Sequence, residues 1–107
     1  TMGALSVTGQ PKYQAPFGPL LPGVKTIPKD DEAALEAAFS ERTCGIVMEG
    51  IQGEGGILPV SESFVRKARE LADRYNAIFI HDSIQCGVGR PGVYFSYQIF
   101  DQPVLPD

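Results

Sequence analysis

Residues 43–82 read TCGIVMEGIQGEGGILPVSESFVRKARELADRYNAIFIHD, and this stretch decides the fold. Thr43 to Glu49 is a short apolar run ending in a carboxylate, the pattern of a buried parallel strand. Ile51 to Pro59 is a glycine-rich loop. Ser61 or Ser63 then caps a helix expected over residues 62–75. Its apolar stripe is Phe64, Ala68, Leu71, Ala72 and Tyr75, one face of a 3.6-residue period. Arg66, Lys67, Arg69, Glu70, Asp73 and Arg74 form its wet face, and Asn76 is a left-handed stop. Ala77 to Asp82 is a second apolar run ending in a carboxylate. Strand, helix, strand at this spacing is a βαβ unit, whose crossover is right-handed in nearly all cases. The fold class is therefore α/β, a mainly parallel sheet with flanking helices.

Outward from this unit the signals weaken. Asp30 and Asp31 can cap a helix over residues 31–40, with Asp31, Glu32 and Glu36 suited to its positive end. Leu35, Ala38 and Phe39 give that helix one apolar face. Residues 1–29 hold so many Pro and Gly that no long helix is expected there. A surface-hugging loop is predicted, with a short strand around Val24 to Ile27. After Asp82 come glycines at 87, 89 and 92 and the aromatics Tyr94, Phe95, Tyr97 and Phe100. There are no repeats and no low-complexity tract.

Of the 107 residues 43% are hydrophobic and 21% charged, an ordinary globular composition for at most one domain. A net charge of −4 argues against nucleic acid, whose phosphates need a basic face. No apolar run approaches the roughly 18–20 residues of a membrane helix. Two cysteines are too few for a disulfide scaffold, and one histidine cannot build a multi-histidine metal site. The chain opens Thr1-Met2-Gly3 without a leader and closes Pro103-Val104-Leu105-Pro106-Asp107. The expectation is a segment of a longer protein.

Ligands of open α/β sheets sit beyond the carboxyl ends of the strands. Glu49 and Asp82 fall there, with Glu54 on the following loop. After four largely apolar residues the Asp82 carboxylate needs a partner. That partner is either a cationic ligand atom or a backbone turn that the carboxylate caps. Gly87-Val88-Gly89-Arg90-Pro91-Gly92 has the glycine spacing of a dinucleotide site. It starts five residues after the strand, with no helix announced, so it is discounted. Glu54 would repel a phosphate from the 51–56 loop, which reads instead as a scaffold that presents this glutamate. His81 reads as a packed histidine rather than a base, and Cys86 as a bystander rather than a nucleophile.

Three motifs together resemble one family. Gly3-Ala4-Leu5-Ser6-Val7-Thr8-Gly9-Gln10, Tyr13 and Phe17-Gly18-Pro19-Leu20-Leu21-Pro22-Gly23-Val24 resemble the acetylornithine and ornithine aminotransferases, of the class III pyridoxal-phosphate aminotransferases. Glu49-Gly50-Ile51-Gln52-Gly53-Glu54-Gly55-Gly56 is similar to the family's Glu-Pro-Ile-Gln-Gly-Glu-Gly-Gly. Asp82-Ser83-Ile84-Gln85-Cys86-Gly87-Val88-Gly89-Arg90-Pro91-Gly92 is similar to its Asp-Glu-Val-Gln-Thr-Gly-x-Gly-Arg-Thr-Gly. The resemblance runs in order over essentially all of residues 1–107.

It implies part of the large domain of a fold-type I transferase that uses pyridoxal 5′-phosphate (PLP). Asp82 is expected to pair with the cofactor's protonated ring nitrogen, Ile84 to pack on a ring face, and Gln85 to hydrogen-bond near the phenolic oxygen. Glu54 matches a substrate-side glutamate that pairs with an arginine, and Glu49 a structural strand-end carboxylate. The implied reaction moves an amino group from N-acetylornithine or ornithine to 2-oxoglutarate. The implied assembly is a homodimer with no nucleic-acid or membrane partner, cytoplasmic, or mitochondrial if a leader lies upstream. The family's Schiff-base lysine lies a few residues past the Pro-Asp that Pro106-Asp107 resembles. Its phosphate loop lies upstream of Thr1. Lys12, Lys25, Lys29 and Lys67 sit in the wrong motifs to replace that lysine, so no catalytic residue is assigned within the segment. Among the departures from the pattern are Gly50 for Pro, Ser83 for Glu and Pro91 for Thr. Another ω-amino acid aminotransferase, such as a 4-aminobutyrate type, and a non-catalytic segment that binds or assembles are the alternatives.

Overall fold

The structure is a computed structural model that describes all residues from Thr1 to Asp107. The decisive unit forms as read. Strand β1 (Gly45–Glu49) pairs in parallel with β4 (Ile78–Asp82), and Glu49 stands opposite Asp82 in the register. Between them lies helix α4 (Glu62–Tyr75). Of the two candidate serines it is Ser61 that caps it, its hydroxyl accepting from the Phe64 amide at 3.3 Å. Asn76 ends it at φ 52°, ψ 42°, the left-handed conformation that a short polar side chain tolerates.

Helix α3 (Glu32–Ala38) is shorter than the expected 31–40. Asp31 caps it by accepting from the Ala34 amide at 2.8 Å. Asp30 caps nothing there. It takes φ 62° and its carboxylate accepts from the Ser61 amide and hydroxyl at 2.8 and 2.9 Å, tying this segment to the start of α4. Leu35 and Phe39 meet Phe64, Val65, Ala68 and Leu71 of α4, and Phe79 of β4 lies fully buried beneath them.

Two expectations need correction. The strands are not buried on both faces: Val47, Ile78 and Ile80 are 46%, 56% and 48% exposed. Only one face of this two-stranded sheet has a helix layer among these 107 residues, so the residues of the other face stay open. Residues 1–29 are not a loop with a strand at 24–27. They hold α1 (Met2–Val7), α2 (Pro11–Gln14) and a 3₁₀ turn at Ala15–Phe17, and residues 24–27 are irregular. Polar side chains build these turns. The Ser6 and Thr8 hydroxyls donate to the Met2 and Ala4 carbonyls, and the Gln14 amide donates to the Leu5 and Thr8 carbonyls at 3.1 and 2.6 Å. Each helix is short, as the Pro and Gly content requires.

The 51–59 loop also carries structure. Strands β2 (Ile51–Gln52) and β3 (Leu58–Pro59) pair antiparallel into a small hairpin that holds Glu54 at its tip. At the other end, Asp107 closes onto β4. Its carboxylate accepts from the Phe79 amide at 2.8 Å and from Arg69 of α4 at 2.9 Å. These two donors hold the Asp107 carboxyl below the usual carboxylate range. Burial works against the Arg69 charge, but Asp107 and Asp73 outweigh it and raise its pKa.

Candidate functional site

The carboxyl ends of β1 and β4 bring Glu49 and Asp82 side by side, and the hairpin tip and the turn after β4 bring Glu54 and Gln85 beside them. Asp82 is half-buried. Its Oδ1 accepts from the Ile84 amide at 2.9 Å, so it does cap a backbone turn. No hydrogen bond or ion pair within the chain engages its Oδ2, which leaves one carboxylate oxygen for a cationic partner. Ile84, the next residue but one, is 91% exposed, an aliphatic side chain with nothing of this chain to pack against.

Gln85 crosses over the hairpin. Its Nε2 donates to Glu54 Oε1 at 3.4 Å. The crossing is possible because residue 53 is glycine: a Cβ there would stand 2.0 Å from Gln85 Oε1. The two loops flanking this crossing each hold a β-branched residue in the left-handed region, Ile57 at φ 59° and Val88 at φ 54°. Such residues cost on the order of 1–3 kcal/mol and concentrate at functional sites.

Glu49, Asp82 and Glu54 line one broad cleft with a volume of about 1080 Å³, and Lys25, Lys29 and Arg42 line it as well. Burial raises the Glu49 pKa, the Gly53 amide at 3.5 Å partly opposes that, and the charges of Asp82 and Glu54 raise it further. Among the lysines, Lys29 is tied to Asp30 and to the Pro59 carbonyl, Lys67 lies 3.7 Å from Glu36 and from Glu70, and Lys12 rests over the Tyr13 ring. Within the cleft, the free Oδ2 of Asp82 suits a ligand atom that brings positive charge.

The discounted glycine segment forms turns, with Gly89 and Gly92 at positive φ, and no α-helix follows it as a dinucleotide loop requires. His81 packs edge-on between Phe79 and Tyr97, with ring centroids at 6.3 and 5.9 Å, as a packed histidine should. Cys86 is buried, its thiol 3.1 Å from the Ser96 hydroxyl. Ser96 was not singled out by any local signal, yet it is fully buried beneath the Asp82 turn. No group of His, Cys, Asp and Glu has the geometry to hold a metal ion, and no helix is long and apolar enough to cross a membrane.

The sequence matches the class-III aminotransferase family over residues 1–107. The chain belongs to that family. It is 48% identical over its whole length to the acetylornithine aminotransferase of Clostridium acetobutylicum, covering 27% of that protein. It is 51% identical over 105 residues, 98% of this chain, to the mitochondrial acetylornithine aminotransferase of Yarrowia lipolytica, covering 25% of it. The ornithine aminotransferase of Toxoplasma gondii, whose structure is described with PLP at partial occupancy in its active site, superposes with a TM-score of 0.80. It is 34% identical, with 90% of this chain and 23% of that one matched. This class-III aminotransferase chain thus spans about a quarter of the length of the relatives it matches. The parallel sheet and flanking helices are those of PLP-dependent aminotransferases.

Proposed function

We propose that these 107 residues are the part of a large domain that carries the cofactor's ring partners in an acetylornithine- or ornithine-type aminotransferase. The observation that carries this reading is the Asp82 turn. One carboxylate oxygen is spent on the Ile84 amide and the other is free, at the carboxyl end of a parallel strand, beside an exposed aliphatic side chain and an amide. That donor set fits PLP: a carboxylate for a cationic ring N–H, a flat apolar surface for a ring face, and an amide for a phenolic oxygen.

When bound, the cofactor supplies an electron sink for the carbon that bears the amine. Asp82 Oδ2 accepts the ring N–H and keeps that proton in place, which preserves the ring's positive charge. Ile84 covers one ring face and excludes water. Gln85 donates toward the phenolic oxygen from its position across Gly53. Glu54, braced by Gln85, faces the substrate side, where its charge distinguishes one carboxylate-bearing substrate from another. Glu49 holds the hairpin through the Gly53 amide.

The amino donor is an N-acetylornithine- or ornithine-like amine and the acceptor 2-oxoglutarate, in a homodimer placed in the cytoplasm or, like the Yarrowia relative, in the mitochondrion. The covalent lysine and the phosphate loop fall in the remaining three quarters of the length, so the isolated segment is inert. The test is amino transfer from N-acetylornithine to 2-oxoglutarate by the complete polypeptide, with and without Asp82→Asn. The expected loss of kcat is on the order of 10²–10³-fold, as for other groups that stabilise developing charge. Unchanged turnover in Asp82→Asn, or turnover by the isolated segment, overturns the reading.

A further inference from the structure

Behind Asp82 lies a polar cluster that the proposed function does not use. Side chains alternate along a strand, so His81 and Ser83 face away from the side that Asp82 faces. The Ser96 hydroxyl stands 3.1 Å from Ser83 Oγ, 3.1 Å from Cys86 Sγ and 3.4 Å from His81 Nδ1, and Ser83 Oγ is itself 3.4 Å from His81 Nδ1. Ser96 is fully buried. Its hydroxyl can give one hydrogen bond and accept two, so it can serve as the hub of the cluster.

The far nitrogen, His81 Nε2, is buried and has no partner. An orphaned N–H is rarer in proteins than an orphaned acceptor, which favours the neutral tautomer with its proton on Nδ1, donating to the serines. The ring fills its space closely. A Cβ at Gly50 would stand 2.8 Å from His81 Cε1 and Nε2, closer than a real Cβ comes, and a tight 3.2 Å from Ser96 Oγ. Two departures from the family pattern, Gly50 for Pro and Ser83 for Glu, therefore meet on one imidazole.

We propose that His81 is a positioning residue: seated in the space that Gly50 leaves and bonded to Ser83 and Ser96, its imidazole sets the pose of the turn that presents Asp82 and Gln85. The inference rests on reading Asp82 and Gln85 as cofactor-facing. The turn is held from three sides: Asp82 Oδ1 takes the Ile84 amide, Ser83 leans on the ring, and the Cys86 thiol reaches both Ser96 and, at 3.7 Å, the Asp82 carbonyl. The imidazole is the bulk against which the second and third of these close.

The test measures the dissociation constant of PLP from the complete polypeptide by absorbance, at a temperature where every variant is folded. His81→Phe keeps the bulk and removes the nitrogens, and about a tenfold weaker affinity is expected, the loss of one to two hydrogen bonds. His81→Asn restores a polar atom near Nδ1 and should come within about twofold of the parent. Ser83→Ala should weaken affinity by about threefold, and it decides the matter if His81→Phe does not fold. A purely structural role would lower melting temperatures and leave these affinities unchanged, and that result overturns the proposal. So does equal weakening in His81→Asn and His81→Phe. Independently of any cofactor, Gly50→Ala should lower the melting temperature in the parent and much less in a His81→Ala background. An equal drop in both backgrounds means that the ring does not occupy that space, and overturns the proposal. If the parent itself binds no PLP, the proposed function fails, while the Gly50 pair still decides whether His81 and Gly50 share one space.

Discussion

Helix α4 and the turns of residues 2–17 are both helical, and they are held by different physics. α4 has 14 residues, a cap at each end and five buried apolar side chains, so its position follows from burial of a periodic face. α1 has six residues, of which only Ser6 is buried, and nothing apolar fixes it. Its place is set by named polar ties. Gln14 spans to the Leu5 and Thr8 carbonyls, and the Ser6 hydroxyl donates to Met2 and accepts from the Leu21 amide at 3.1 Å. A periodic apolar face tolerates many sequences. A tie between a glutamine amide and a carbonyl nine residues away depends on one side chain.

Three measurements break or sharpen this contrast. The largest effect belongs to the buried face: Leu71→Ala removes a fully buried side chain from the α4 stripe, and a loss of about 3 kcal/mol in urea unfolding is expected. A loss below about 1 kcal/mol would mean that burial does not hold α4. The second is smaller and local. Gln14→Ala should cost about 1 kcal/mol and speed amide exchange over residues 2–14, with α4 unchanged. Equal acceleration in α4 would show that the two regions open together and that the contrast is false.

The third effect depends on pH. Burial lowers the His81 pKa below its ordinary 6.5, and the Asp82 charge only partly opposes this. The unfolded chain therefore takes up the proton first as the pH falls. Stability should be level above about pH 7 and decline as the pH drops through 6.5 toward the folded value. Asp30, held low by Lys29 and Ser61, and Asp107, held low by the Phe79 amide and Arg69, lose their contributions only below the window of His81, near and under pH 4. Glu49 acts in the opposite sense, since its raised pKa favours the folded state as the pH falls toward 4.5. The decline between pH 7 and 6 should disappear in His81→Phe. Its survival there would assign it to another group.

The readable parts of this molecule share one property: their signal is local and repeated. The α4 stripe, the Ser61 and Asn76 caps and the two apolar runs ending in Glu49 and Asp82 were legible for that reason. Val65, fully buried, escapes the periodic stripe because it lies at its edge. The hairpin at 51–59 was hidden because its strands are two residues long and carry no alternation. The openness of Val47, Ile78 and Ile80 was hidden because a run of apolar residues reports that a strand can be covered, not that a layer is present.

The candidate site divides in the same way. Asp82, Ile84, Gln85 and Glu54 stood out by motif, and the fold brings Glu54 and Gln85 within hydrogen-bond reach across 31 positions. The cluster beneath them could not be read. Ser96 lies 13 residues from Ser83 and 15 from His81, and Gly50 lies further still, so no spacing rule joins them.

By itself the sequence determined the βαβ unit, the strand-end carboxylates and the family, because each rests on residues that are neighbours along the chain or repeat at a helical or strand period. Only the tertiary structure decided which oxygen of Asp82 is free, why Gly53 must leave room for Gln85, and that Gly50, Ser83 and Ser96 converge on His81. Those facts come from distances between side chains far apart in the chain. Such distances are set when two parallel strands align and a half-buried ring claims a space that no local pattern encodes.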